Sequence, residues 1–363
     1  MKNARTLLFI VAASIPVTAW SGAPKGLHGK FTVFDAPGVG TTNSLGTSVS
    51  GFNQEGVIVG ATAAADGTLD GFMRSRDGSF ISISDPSSPP GAQFGSIPFG
   101  VNSNDQVVGI YEAGTSQYLF TSFERDRSGV FRDLHAPGAQ PGLIDTIAYG
   151  INSRGEITGQ YFLPDGTNQS FVRMPNGTFD KFTALGAVST NATSINDGGS
   201  VAGTYTDSAF ASHGFVRNSA GVITEFDAPG AGTGASQGTS PLSINPSGVI
   251  VGSFVDGNSV THGFVRDTKG SITVVDVPFA TSTTVSGVDG SQTVGSYIDM
   301  GGVTHGFILL HNGSVQTLDA PKAGTTSGLG TTVVGVASEG LIIGYDLDSN
   351  GASHGFVWRS DDD

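Results

Sequence analysis

Short runs in which apolar residues alternate with small or polar ones recur from residue 31 to residue 359, and glycines punctuate them. Alternation of this kind, with Val, Ile, Thr and Phe prominent, is the mark of half-buried β-strands. No stretch has helical periodicity. The runs fall into groups of four. A first run ends in Asn, as in YGIN at Asn152 or LSIN at Asn245, and a Gly-rich turn leads to a second such as EITGQY or VIVGSF. HGFVR forms the third run, and ITEFDAP or ITVVDVP the fourth.

The glycine that closes the second run measures the repeat. It stands at Gly60, Gly109, Gly159, Gly203, Gly252, Gly295 and Gly344, at steps of 49, 50, 44, 49, 43 and 49 residues. A period in the forties belongs to blade-type repeats, not to leucine-rich coils of about 20 to 29 residues. From that glycine to the Phe of the third run the distance is 12 residues in six copies and 11 from Gly109 to Phe120. The last copy stops at HGFVWRSDDD without a fourth run, whereas KFTVFDAPG near the start is a fourth run with no copy before it. The expected fold is therefore all-β, a seven-bladed β-propeller of four-stranded antiparallel blades. Residues 31 to 35 would serve as the outer strand of the blade built from about 325 to 359, because an open sheet edge invites aggregation.

The amino terminus adds a processing signal. Lys2 and Arg5 precede an apolar run from Leu7 to Ile15 and small residues up to Ala19, the pattern of a secretory signal peptide over 1–19. A segment at 20–30, a single propeller domain at 31–359 and an acidic tail at 360–363 follow. Secretion or periplasmic export is the expected destination. The run is too short to span a bilayer, so no membrane insertion is expected.

Charge narrows the partners. There are 31 acidic against 17 basic residues, a net charge of −14 before the signal is removed. Nucleic acid demands a basic face and is excluded. With no cysteine, disulfides and thiolate metal sites are excluded as well.

Around the repeated HGFV, with GINSRGEITGQY and FDAPGA beside it, the chain resembles the bacterial extracellular repeat proteins of the HAF family, whose defining tripeptide is His-Ala-Phe. Here the tripeptide is His-Gly-Phe in four copies, and Asp70-Gly71-Phe72, Tyr118-Leu119-Phe120 and Gln169-Ser170-Phe171 in the others. The resemblance covers about residues 31 to 359. It implies a secreted repeat protein and no established reaction.

The candidate chemistry is sparse. His213, His262, His305 and His354 recur once per copy, so they are expected to belong to the frame, bridging a blade to its neighbour through a Ser, Thr or Asp. No serine or cysteine stands at fixed spacing to make them a nucleophilic triad. Asp346, Asp348 and Asn350 before Gly351 alternate as calcium ligands do, although Val357 replaces the acid at position 12 and an Asn-Gly hairpin explains the same residues. Calcium is the one cofactor admitted. The second copy departs most, with Glu124, Arg125, Asp126, Arg127, Arg132, Asp133 and then His135, and is read as a turn extended by three residues.

The loops between a fourth run and the next first run vary most in length and gather on one propeller face. A ligand site there would draw on Gln93, Phe94, Phe99, Asp145, Tyr149 and Gln237 around the channel mouth. Exposed Trp that would stack on sugars is scarce, since Trp20 and Trp358 lie at the chain ends. The leading expectation is a monomeric, non-enzymatic binding or structural scaffold for an extracellular or envelope protein or polymer. The alternative is a propeller lyase or hydrolase with His135 or Asp145 as general acid or base.

Overall fold

A computed structural model describes residues 28–40, 45–88, 94–114, 119–140, 144–290, 292–310 and 313–361. Its elements are β-strands and one short 3-10 turn at Ser338–Gly340. The strands form seven antiparallel groups of four, here called units 1 to 7. Units 1 to 6 run consecutively through residues 46–83, 96–134, 146–182, 189–226, 238–275 and 282–318. Unit 7 has three strands within 330–360, and its fourth is the amino-terminal strand Gly29–Phe34. That strand pairs with Ser353–Ser360 along its whole length, from Gly29 opposite Ser360 to Phe34 opposite Gly355. The first strands of successive units touch, and the first strand of unit 7 touches that of unit 1.

Each unit buries one third-strand phenylalanine: Phe72, Phe123, Phe171, Phe215, Phe264, Phe307 and Phe356. The recurring glycine of the second strand lies under it. A Cβ on Gly203 would come within 2.7 Å of the Phe215 ring and 2.2 Å of the Asn191 carbonyl oxygen, and Gly344 is confined in the same way by Phe356 and Thr332. The sequence period therefore records a packing requirement.

Unit 2 shows a different register from the one expected. Gly109 lies opposite Phe123, as Gly159 lies opposite Phe171, so the repeat tripeptide there is Thr121-Ser122-Phe123 and not Tyr118-Leu119-Phe120. The additional residues fall between the second and third strands. The turn after Arg125 has ordinary length, with Arg125 opposite Phe131 just as Arg74 is opposite Phe80. Ser122 and Ser170 confirm the alignment, since each Oγ accepts from a backbone N–H of the next unit, at Ala148 and Ala192 respectively.

Three polar devices hold the units to each other. A buried Thr or Ser near the start of each first strand (Thr47, Ser96, Thr146, Thr190, Thr239, Thr283, Thr331) accepts a backbone N–H from the loop that leaves the preceding outer strand. At the other end of that strand, the Asn side chain serves two units at once. Asn102 Oδ1 accepts from Asn104 and Gln106 in its own turn, while Nδ2 donates 2.8 Å to the Asn152 carbonyl. Asn53, Asn152 and Asn196 repeat the second bond, to Asn102, Asn196 and Asn245. Asp289 and Ala337 replace Asn in units 6 and 7, and Ser338 N–H donates to Gln54 instead. Lastly, the Arg that ends a third strand reaches back across the seam: Arg74 stacks on Phe34, Arg217 on Phe182 and Arg266 on Phe226.

Candidate functional site on the loop face

The hairpins between second and third strands and the loops between outer and next first strands share one face. Four consecutive units, 4 to 7, present a histidine there, and in units 4, 6 and 7 it lies between two carboxylates. His213 Nδ1 lies 3.0 Å from both Asp227 oxygens, and its Nε2 is 3.5 Å from Asp207. His305 sits likewise between Asp319 and Asp299, and His354 between Asp35 at 2.6 Å and Asp348 at 3.7 Å. His262 faces Asp256 at 3.4 Å. The rings of His213, His262 and His305 stack on Tyr205, Phe254 and Tyr297 at 4.8, 4.5 and 4.9 Å.

These partners belong to the histidine's own unit, which corrects the expected bridge to a neighbour. The second residue of a third strand lies beside the loop that leaves its own outer strand, so the nearest carboxylate is an intra-unit one. For His213, burial opposes the charged ring, but Asp227 and then Asp207 outweigh it and raise the pKa. In unit 5 the Asp276 carboxyl is buried, Oδ1 has no hydrogen-bond partner, and burial pushes its pKa up to about 7.

Unit 7 departs from this scheme at the stacking position. Opposite His354, where units 4 to 6 carry Tyr205, Phe254 and Tyr297, stands Asp346. Its exposure is 0%, neither carboxylate oxygen has a hydrogen-bond partner, and burial raises its pKa to about 6. Asp348 and Asn350 lie in the following hairpin: Asp348 Oδ1 accepts from the Asn350 and Ala352 N–H groups, and Oδ2 from Asn350 Nδ2. Asp256 and Asp299 make the same backbone bonds in their own hairpins. Among the described residues no three His, Cys, Asp or Glu side chains gather as metal ligands.

Gln93 lies outside the described residues. The other predicted ligand residues, which the structure describes, make mainly local contacts. Phe94 packs on Phe120, while its N–H donates to buried Glu112. Phe99 and Tyr149 are the extra residues of first-strand bulges; their rings touch at 5.7 Å, and burial pushes the Tyr149 hydroxyl up to about 12. Gln237 folds back to accept the Gly234 N–H. His135 and Asp145 do come together, with Nδ1 at 2.7 Å from Oδ2, while Asp145 Oδ1 is buried without a partner.

Sequence reading missed two side chains on this face. Phe210 and Phe279 are 63% and 88% exposed and adopt φ of 60° and 65°. In the corresponding hairpin position, units 1, 3, 6 and 7 use Gly67, Gly166, Gly302 and Gly351; in the corresponding loop position, Gly38, Gly138, Gly186 and Gly230 serve. The signal was present as two Phe residues in columns where glycine predominates, although Ser259 (φ 63°) holds the hairpin position in unit 5 and Ser87 and Lys322 hold the loop position after units 1 and 6. Leu185 and Met300 are exposed nearby in chain position, on the same set of loops and hairpins. The face is also acidic. Among the described residues its basic side chains are Lys181, whose Nζ donates to the Pro137 carbonyl, and Lys322, paired with Asp35; the other Lys and Arg residues stand at strand ends and turns of the opposite face.

The chain is similar in fold to solved structures, among them a β-propeller domain. The β-propeller domain of the Trilobed protease from Pyrococcus furiosus superposes with a TM-score of 0.53 at 8% identity, covering 86% of this chain and 95% of that one. TolB from Acinetobacter baumannii gives 0.46 at 10% identity, over 90% and 66% of the two chains. The BP39L lectin from Burkholderia pseudomallei gives 0.44 at 11%, over 87% and 99%. No family model and no curated protein matches the chain. The first of these likenesses defines the class: an all-β protein of propeller type. Among the described residues no helix is long and apolar enough to cross a membrane.

Proposed function

We propose that the chain is an exported, seven-bladed β-propeller closed by its own amino-terminal strand, and that it acts as a binding scaffold whose loop face takes up an extracellular or envelope protein or polymer. The observation that carries the binding role is the placement of Phe210 and Phe279. A bulky side chain in the left-handed region costs about 1 kcal/mol relative to glycine, and these rings, 63% and 88% exposed, recover little of it by burial. Folding is better served by the glycine of the sibling units. Exposed rings of this kind are what a partner buries first. The acidic surroundings favour a partner with basic groups, drawn in electrostatically.

The test is the double variant F210G/F279G, compared with the unchanged protein on immobilised polysaccharides and cationic peptides by interferometry at low salt. At least one surface should retain the protein, and the variant should lose tenfold or more in affinity while its melting midpoint holds or rises. Equal binding by the two proteins would remove the argument, as would a midpoint several degrees lower in the variant.

The close His135–Asp145 pair supports a second reading, a lyase or hydrolase in which a carboxylate orients an imidazole base. Replacing His135 with Ala would abolish turnover of a polymer substrate on that reading and leave scaffold binding intact on the first.

A further inference from the structure

On the face opposite the variable loops, the seam between units 7 and 1 opens into a cavity of about 490 Å³. Lys30 and Thr32 of the amino-terminal strand line it, with Arg74 and Arg76 of unit 1 and Arg359 and Asp361 of unit 7. Four cations on one cavity are unusual in a chain whose net charge is −14. Their neutralisation is incomplete. Arg217 meets Asp180 and Arg173 meets Glu124, but Thr32 holds the place at this seam that Asp180 holds between units 3 and 4. Arg74 is only 8% exposed, its Nε has no partner and its Nη1 only a long contact of 3.5 Å to the Ser75 carbonyl.

One carboxylate already lies between two of these cations. Glu339 Oε2 accepts from Arg76 Nη2 at 2.7 Å and from Arg359 Nη1 at 3.2 Å, and these two guanidiniums hold its carboxyl below the usual range. To deliver it, Glu339 adopts φ of 60°, a left-handed conformation in a turn. An internal anion held at the rim, beside Lys30 and Arg74, which have no ion pair among the described residues, marks a site shaped for an oxyanion.

We propose that the seam cavity binds an oxyanion group (carboxylate, sulfate or phosphate) through Arg76, Arg359 and Lys30, and that Glu339 is its built-in competitor. The ligand oxygens displace the Glu339 carboxylate from the two guanidiniums, Lys30 adds a third positive charge, and Arg74 supplies a fixed positive charge behind them. The site is independent of the loop face, so it stands whether or not Phe210 and Phe279 contact a partner.

Titration calorimetry with sulfate, phosphate and glucuronate as separate arms, at low ionic strength and neutral pH, tests this. At least one anion should bind, and the arms identify which. R76A/R359A should weaken it tenfold or more, whereas Glu339→Gln should tighten it several-fold, and added chloride should weaken it progressively. Both variants alter exposed side chains, and far-UV circular dichroism checks that they fold. Absence of binding by both the unchanged protein and E339Q at millimolar anion would overturn the proposal. So would affinity unaffected by R76A/R359A, or weakened in E339Q.

Discussion

Replacing Asp346 with asparagine should stabilise the protein at neutral pH and leave its stability nearly unchanged near pH 4. Asp346 is fully buried, with no hydrogen bond to either oxygen, on the strand that pairs with His354. Burial raises its pKa from 3.8 to about 6; His354 and Lys322 pull the other way, and Asp348 and Asp35 add to the rise. A raised carboxyl pKa means that the unfolded chain gives up its proton first. Stability from this group is therefore full below about pH 4, falls as pH rises from about 4 to 6, and is constant above that. A shift of that size corresponds to at most about 3 kcal/mol at pH 7 and above. D346N removes the ionisation and keeps the shape, so it should recover most of that difference, seen as a rise of a few degrees in melting midpoint at pH 7.5 and little change at pH 4. Calorimetry at the two pH values measures it. A D346N protein that melts lower at pH 7.5, or by the same amount at both, would refute the reasoning. A calcium-dependent midpoint in the unchanged protein that disappears in D346N would refute it too, by showing that the carboxylate has a cation for a partner.

Asn102→Ala should destabilise by about 2–4 kcal/mol, because it deprives two turn N–H groups and the Asn152 carbonyl of partners in a buried place; chemical unfolding gives the value, and a loss under 0.5 kcal/mol would show that the ring of Asn side chains is dispensable. The His213 pKa lies above its ordinary value through Asp227 and Asp207 despite burial, so the pair's stability is full below pH 6.5 and lost as pH rises through the folded pKa. Asp227→Asn should lower the His213 midpoint in an NMR titration, and an unchanged midpoint would mean that Asp227 does not act on the ring. Removing residues through Asp35 strips the partner strand from Ser353–Ser360 and the carboxylate from His354. The truncated chain should aggregate by light scattering and melt lower, whereas an unaltered midpoint would argue that the amino-terminal strand closes nothing.

What could be read from the chain beforehand follows from how local each cause is. Strand alternation and the glycine under each buried phenylalanine are local, so the units and the amino-terminal outer strand emerged with bounds close to Gly29–Phe34. Unit 2 misled because Phe120 and Phe123 both suit the aromatic position, and it is Ser122, equivalent to Ser170, and Arg125, equivalent to Arg173, that distinguish them. Asp346 and Asp348 looked like alternating loop ligands, although the strand continues to Leu347 and places Asp346 where siblings have an aromatic ring. The Asn that ends each first strand was visible, but its reach to the next unit's carbonyl depends on how adjacent units stand in space.

The same distinction separates frame from site. Residues that recur in register, the buried Thr and Ser acceptors, the Asn donors and the His–Asp pairs, each satisfy a group that the fold itself creates. Phe210, Phe279, Asp346 and Glu339 break the repeat at four separate columns, and at each the sibling residue suits the folded chain better: glycine for the two left-handed phenylalanines, an aromatic ring for Asp346, the ordinary backbone of the other first-to-second-strand turns for Glu339. Departures that cost backbone strain or burial of a charge, and whose gain the fold does not need, are where selection for something other than folding is to be sought. By that criterion the loop face and the seam cavity, rather than the four repeated histidines, are where the proposed binding is to be tested.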